Sequence, residues 1–161
     1  MARSDAGLVA GVGEPMRGDD GIGPAVVRTL HGHVPPGVRL VERVVEPTAL
    51  LDLWSGSPLA VVVDAGRTGA PPGSILRLTE EELARAPAGT STSSHGLSVR
   101  DAAELGRQLG RAPRRLLVYL VELAELGTGR ALSPPVERAR REAARRIASE
   151  FSDEPPPPRG P

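Results

Sequence analysis

Residues 11–23 read GVGEPMRGDDGIG, thirteen positions that hold five glycines and three carboxylates. The apolar run Leu8–Val12 leads into this stretch, and Ile22, Val26 and Leu30 follow it at helical spacing. A buried strand that turns through glycines into a helix is the opening of an α/β fold, and it leaves this part of the chain few alternatives. Pro24 fits the first helical turn, where its missing N–H removes no intrahelical bond. Turns of this kind usually cradle phosphate, but two substitutions exclude that here. A dinucleotide fingerprint needs glycine three residues after Gly13, where Met16 stands, and a phosphate-binding loop needs Lys after Gly18, where Asp19 stands. Glu14, Asp19 and Asp20 would also repel an anion, so the turn favours a cation.

The pattern repeats downstream. Val38–Val45 reads as a second strand, and Pro47 opens a short helix carrying Leu50, Leu51 and Trp54 on one side. Leu59–Val63 is a third apolar strand, stopped by Asp64, and Ser74–Leu78 is a short fourth. Thr79 with Glu82 forms a capping box. Val99–Leu109 is amphipathic, with Ala102, Leu105 and Leu109 along its apolar stripe. Leu116–Val121 is the last strong strand, and SPP introduces a long helix to about Phe151. Strands alternating with helices predict an α/β fold: a single three-layer α/β/α sandwich with a mostly parallel twisted sheet of about five strands. One domain is expected over residues 1–151, followed by a disordered proline-rich tail over 152–161.

Composition narrows the function classes. The 20 basic and 20 acidic side chains cancel, and aromatics make up 2%, so neither a phosphate-binding field nor base-stacking surfaces are expected, and no nucleic-acid partner. With no cysteine, disulfides, thiolate metal sites and a cysteine nucleophile are excluded. The apolar run near the N-terminus is too short for a signal peptide and no stretch reaches a transmembrane length, so a cytoplasmic protein without a membrane partner is expected.

In an open α/β sheet, ligands sit beyond the carboxyl ends of the strands. The first strand runs into Asp19 and Asp20, the third into Asp64, and the loop before Val99 supplies His95. Two carboxylates and one imidazole on three such loops can hold a divalent metal with positions left open, and this donor set suits nickel, zinc, iron or manganese. Structural roles remain open to the same residues. An Asp after a strand also forms turns, an Asp before a helix favours its dipole, and a His in a Ser-rich loop is also found solvated. Of the Asp19–Asp20 pair, one is expected to be structural. A serine hydrolase is disfavoured, because no G-x-S-x-G elbow exists and Ser94 and His95 are sequence neighbours whose side chains diverge.

GVGEPMRGDDGIG, VVVDAGRTGAPPGSI, TSSHGLSVRDAAELGRQLG and ALSPPV, in this order and spacing, resemble the hydrogenase maturation protease family over residues from about 8 to 150. The resemblance implies a nickel-dependent endopeptidase, a hydrolase of aspartic or metallo type, that removes the C-terminal extension of a [NiFe] hydrogenase large-subunit precursor after nickel insertion. It also implies a single α/β/α sandwich. The family's metal-binding residues fall on Asp20, Asp64 and His95, which are implied as both metal-contacting and catalytic. Nickel would arrive with the precursor, zinc or cadmium could replace it in vitro, and the precursor is the implied partner of a monomer or weak homo-oligomer. The Lewis-acid chemistry of nickel permits it to polarise the scissile carbonyl or to activate water.

Three segments depart from the family pattern. Glu14 stands where the family has Asn, Glu46-Pro47-Thr48 replaces Gly-Gly-Thr, and VELAELGTG replaces a V-E-G segment while keeping Glu122. The second departure supports an alternative reading, a non-catalytic metal- or precursor-binding accessory protein of the same fold. A self-sufficient metallohydrolase acting on another substrate is a third.

Overall fold

β1 (Gly7–Val12) is buried at every residue and lies between two parallel neighbours, β2 (Val38–Val44) and β3 (Ala60–Gly66). The computed structural model describes residues 5–87, 89–90, 98–126, 129 and 131–152. β5 (Leu116–Glu122) runs parallel to β3, and β4 (Ile75–Thr79) completes the sheet antiparallel to β5, in the order β2-β1-β3-β5-β4. The uninterrupted apolar runs of β1, β3 and β5 are what strands covered on both faces require.

Helices cover both faces, as the strand–helix alternation predicts. Val9, Val61, Val63 and Tyr119 pack on one side with α1 (Ile22–Thr29) and α5 (Pro134–Glu150). Leu8, Ala10, Val62 and Val118 pack on the other with α2 (Leu50–Trp54) and α4 (Val99–Gln108). The capping box of Thr79 and Glu82 is present and starts the short helix α3 (Glu80–Arg85).

Two boundaries differ from the sequence reading. β3 does not stop before Asp64 but continues through Gly66, because Asp64, Ala65 and Gly66 pair in register with Leu120, Val121 and Glu122. Leu109 is 59% exposed rather than part of the α4 stripe. Past Gln108 the chain unwinds at Gly110 (φ 68°), and the Arg111 N–H returns to the Gly106 carbonyl at 2.7 Å. The buried face is instead Val99, Ala102, Ala103 and Gly106. Of the expected proline-rich tail over 152–161, residues 153–161 lie outside the described residues.

Edge strand β4 is fastened to α5 by Arg77, whose Nε and Nη2 donate to Glu150 at 2.5 and 3.2 Å. The Tyr119 hydroxyl donates to the same carboxylate at 2.7 Å. Burial alone would raise the Glu150 pKa; the Arg77 and Tyr119 hydrogen bonds and the Arg77 charge outweigh it and leave the group lowered.

The chain leaves β1 through α1 to reach β2 on one side, then crosses the opposite face through α2 to reach β3 on the other. The direction of winding therefore reverses between β1 and β3, which makes their carboxyl ends the crevice of the fold. Glycines permit the close entry of α1 over this crevice. A Cβ on Gly23 would lie 2.5 Å from the Val63 carbonyl oxygen and 2.6 Å from that of Val12. A Cβ on Gly11 would meet the Gly23 backbone at 2.6 Å. Because these neighbours are backbone of core strands, Gly23→Ala should destabilise the fold by about 3 kcal/mol or more. An unchanged urea midpoint would contradict the close approach.

Candidate functional site

The DDG of the opening turn forms a short 3-10 turn, Gly18–Gly21, at the mouth of the crevice, with both aspartates buried. Their roles diverge. Asp19 is fully buried, and its carboxylate accepts the N–H groups of Ala124 and Glu125 (both 2.8 Å), the Ser133 N–H (2.7 Å) and the Ser133 hydroxyl (2.8 Å). Its own N–H donates to the Glu125 carbonyl at 2.9 Å. Ser133 is the N-cap of α5, yet its side chain serves Asp19 rather than its own helix. Asp19 thus ties the start of α1 to the loop between β5 and α5, and it is the structural member of the pair.

Burial alone would raise the Asp19 pKa; the backbone donors Glu125, Ser133 and Ala124, with the Ser133 hydroxyl, overcome it and hold the group below its ordinary value.

Asp20 faces the crevice. Its Oδ2 accepts the Glu14 N–H at 2.9 Å, and it lies against Gly13. A Cβ there would fall 2.0 Å from the Asp20 carbonyl oxygen and 3.3 Å from its Oδ1, and the Gly13 φ of 131° is itself reserved for glycine. Asp64 stands on the neighbouring strand, one residue beyond the Gly11–Val63 pair, and is 1% exposed. Its Oδ1 accepts the Ala65 N–H at 2.9 Å. Strand alternation puts Asp64 on the face shared by Val62, the one covered by α2 and α4.

The structure therefore brings Asp20 and Asp64 to the carboxyl ends of adjacent strands β1 and β3. His95 lies outside the described residues, in 91–97, which immediately precede α4. His31 and His33 lie at the opposite edge, where the chain after α1 enters β2 beside Gly7. Among the described residues, no three His, Cys, Asp or Glu side chains gather as a metal-binding group.

Several contributing residues escape sequence reasoning. Arg43 of β2 forms an ion pair with Glu14, so the third carboxylate of the turn is neutralised from the next strand. Buried Glu122 accepts the Thr68 N–H at 2.8 Å, the Thr68 hydroxyl at 2.7 Å and the Gly69 N–H at 3.3 Å, pinning the loop that leaves β3 after Gly66. Ser133 could be read from SPP as a cap, but nothing local links it to Asp19, 114 residues away.

Asp19→Asn should lower stability by about 3 kcal/mol at neutral pH, because an amide cannot accept from every donor around it. The sign of the pH dependence follows from the lowered pKa. The stabilisation is complete above the unfolded value near 3.8 and is lost as pH falls through the lower folded value. Urea titrations should find the gap between wild type and Asp19→Asn narrowing as pH drops below about 4; a constant gap would contradict the charged role.

Comparison with known proteins agrees with this architecture. A family model described as hydrogenase maturation protease matches residues 24–150, an interval that includes Asp64 and His95 and begins four residues after Asp20. The hydrogenase expression/formation protein HoxM of Azotobacter vinelandii is 31% identical over 147 residues, covering 89% of this chain and 70% of that protein. HupD of Thiocapsa roseopersicina is 29% identical over 133 residues, covering 81% of this chain and 60% of the relative's length. Among solved structures, the hydrogenase maturating endopeptidase HybD from E. coli superposes with a TM-score of 0.74 at 23% identity, covering 90% of this chain and 91% of that one. A [NiFe] hydrogenase maturation protease HycI from Thermococcus kodakarensis gives 0.69 at 21% identity, with 90% and 91% coverage. By sequence and by fold, this chain belongs to the hydrogenase maturation protease family.

Proposed function

We propose that this chain is an endopeptidase that removes the C-terminal extension of a [NiFe] hydrogenase large-subunit precursor once nickel has been inserted, and that Asp20, Asp64 and His95 recognise that nickel. The observation that carries this reading is the pair of buried carboxylates at the carboxyl ends of β1 and β3, where the winding of the sheet reverses. Burying two carboxylates beside one crevice is unfavourable unless a cation or a set of donors compensates them. Asp20 receives the Glu14 N–H and Asp64 the Ala65 N–H.

In this reading nickel is part of the substrate. Carboxylate and imidazole ligands suit it, and three protein ligands leave coordination positions for the precursor's own groups. Asp20 and Asp64 orient the metal-bearing segment, and His95 completes the contact. Nickel, or zinc or cadmium in its place, would supply Lewis acidity toward a carbonyl or a water. In this reading the protein works in the cytoplasm; among the described residues no helix is long and apolar enough to cross a membrane.

One observation favours the second reading, a non-catalytic accessory protein that binds metal or precursor. Buried Pro47 begins the short 3-10 turn Pro47–Ala49, and Glu46 before it is extended (φ −103°, ψ 114°). A Gly-Gly-Thr segment at this place has backbone freedom that Glu46 and Pro47 lack.

Incubation with nickel-loaded and nickel-free precursor separates the two. The endopeptidase shortens only the loaded form, and an accessory protein shortens neither; cleavage of both would overturn nickel recognition. Asp20→Ala, Asp64→Ala and His95→Ala should each bring processing below detection while circular dichroism and melting stay native. Retained cleavage by His95→Ala would remove the imidazole from the site.

A further inference from the structure

Glu14 contributes to the site through two different groups. Its N–H donates to Asp20 Oδ2 at 2.9 Å, while its side chain pairs with Arg43 on β2. The ion pair is partly exposed, with side-chain exposures of 50% for Arg43 and 34% for Glu14, so it adds little to global stability. Its effect is local. Residues 13–17 are held to β2 by the Gly13 N–H to the Val44 carbonyl at 3.2 Å, and the Glu14–Arg43 pair adds a second tether to the next residue of the turn. The Arg17 N–H closes the turn onto the Glu14 carbonyl at 3.0 Å.

From this arrangement we infer that Arg43 is a positioning residue that acts through Glu14 on Asp20. By drawing the Glu14 side chain toward β2, Arg43 keeps the Glu14 peptide N–H aimed at Asp20 Oδ2 and fixes the orientation of that carboxylate in the crevice. It also offsets the Glu14 charge, so that the turn adds no further uncompensated negative charge near Asp20 and Asp64. The charge of each partner is interchangeable in this role, because the contact with Asp20 runs through the backbone. A direct contact of either side chain with the substrate would not be interchangeable. The importance of Asp20 itself rests on the function proposed above.

The test uses the full chain in three forms: wild type, Arg43→Ala, and the swap of Glu14→Arg with Arg43→Glu. Arg43→Ala should lower kcat on nickel-loaded precursor at least about tenfold, as loss of a group supporting a ligand typically does, with KM changed less than about twofold. The swap should restore most of kcat. Independently of activity, the Glu14 amide proton should move upfield and exchange faster in Arg43→Ala, and the amide of residue 14 should regain its protection from exchange in the swap, at an unchanged melting temperature. A raised KM with unaltered kcat, or a swap that leaves kcat low, would overturn the inference in favour of substrate contact. A Glu14 amide indifferent to Arg43→Ala would overturn it whatever the kinetics. If wild type leaves the precursor uncleaved, the functional reading fails, and the amide measurement still decides whether Arg43 positions the turn.

Discussion

A carboxylate with no exposed surface anchors the site. Asp19 collects four donors from the β5–α5 loop and the start of α5, and it returns its own N–H to the Glu125 carbonyl. Charge-assisted bonds of this kind are among the strongest that a fold can make, and removing one side leaves the others buried without partners. Through this one side chain the first and last helices are joined at the same end of the sheet. The adjacent Asp20 inherits its place from that anchor, since its neighbour cannot shift without breaking the set.

Backbone proximity then does what side chains cannot. Gly11 and Gly23 let β1, β3 and α1 meet at distances that no Cβ permits, and Gly13 leaves room for Asp20 to lie against the strand end. Asp64 is delivered by a strand rather than a loop, held in register with Leu120, so its position is set by the sheet ladder. Elements fixed this way give a more precise site than loops do. Glu122 extends the same logic to the segment that follows Asp64.

Much of this architecture is legible in the sequence because the core strands are uninterrupted apolar runs and helices announce themselves through Thr79 and the SPP preceding α5. That the Asp19–Asp20 pair and Asp64 come to the carboxyl ends of neighbouring strands follows from the alternation of strands and helices. Other features are not legible, for physical reasons. Which aspartate of the pair turns inward depends on donors more than a hundred residues away. The partner of Glu14 lies 29 residues downstream and meets it only through the β1–β2 register. Asp64 looks like a strand terminator because charged residues usually are; here the ladder continues past it and the carboxylate is buried. Leu109 looks like core by periodicity, but the helix unwinds before the period is completed.

The opening turn thus keeps the glycines of a nucleotide-binding loop and carries carboxylates among them. One of its carboxylates is structural, one faces the crevice, and one is neutralised by Arg43 while its backbone supports the second. Under the function proposed above, such a site tests the substrate for metal before cutting it. The most direct measurement is nickel X-ray absorption on a rapidly frozen complex of this chain with nickel-loaded precursor. Nickel should gain oxygen and nitrogen scatterers on complex formation, and fewer of them with Asp20→Ala or Asp64→Ala. A nickel spectrum that complex formation leaves unchanged would contradict it.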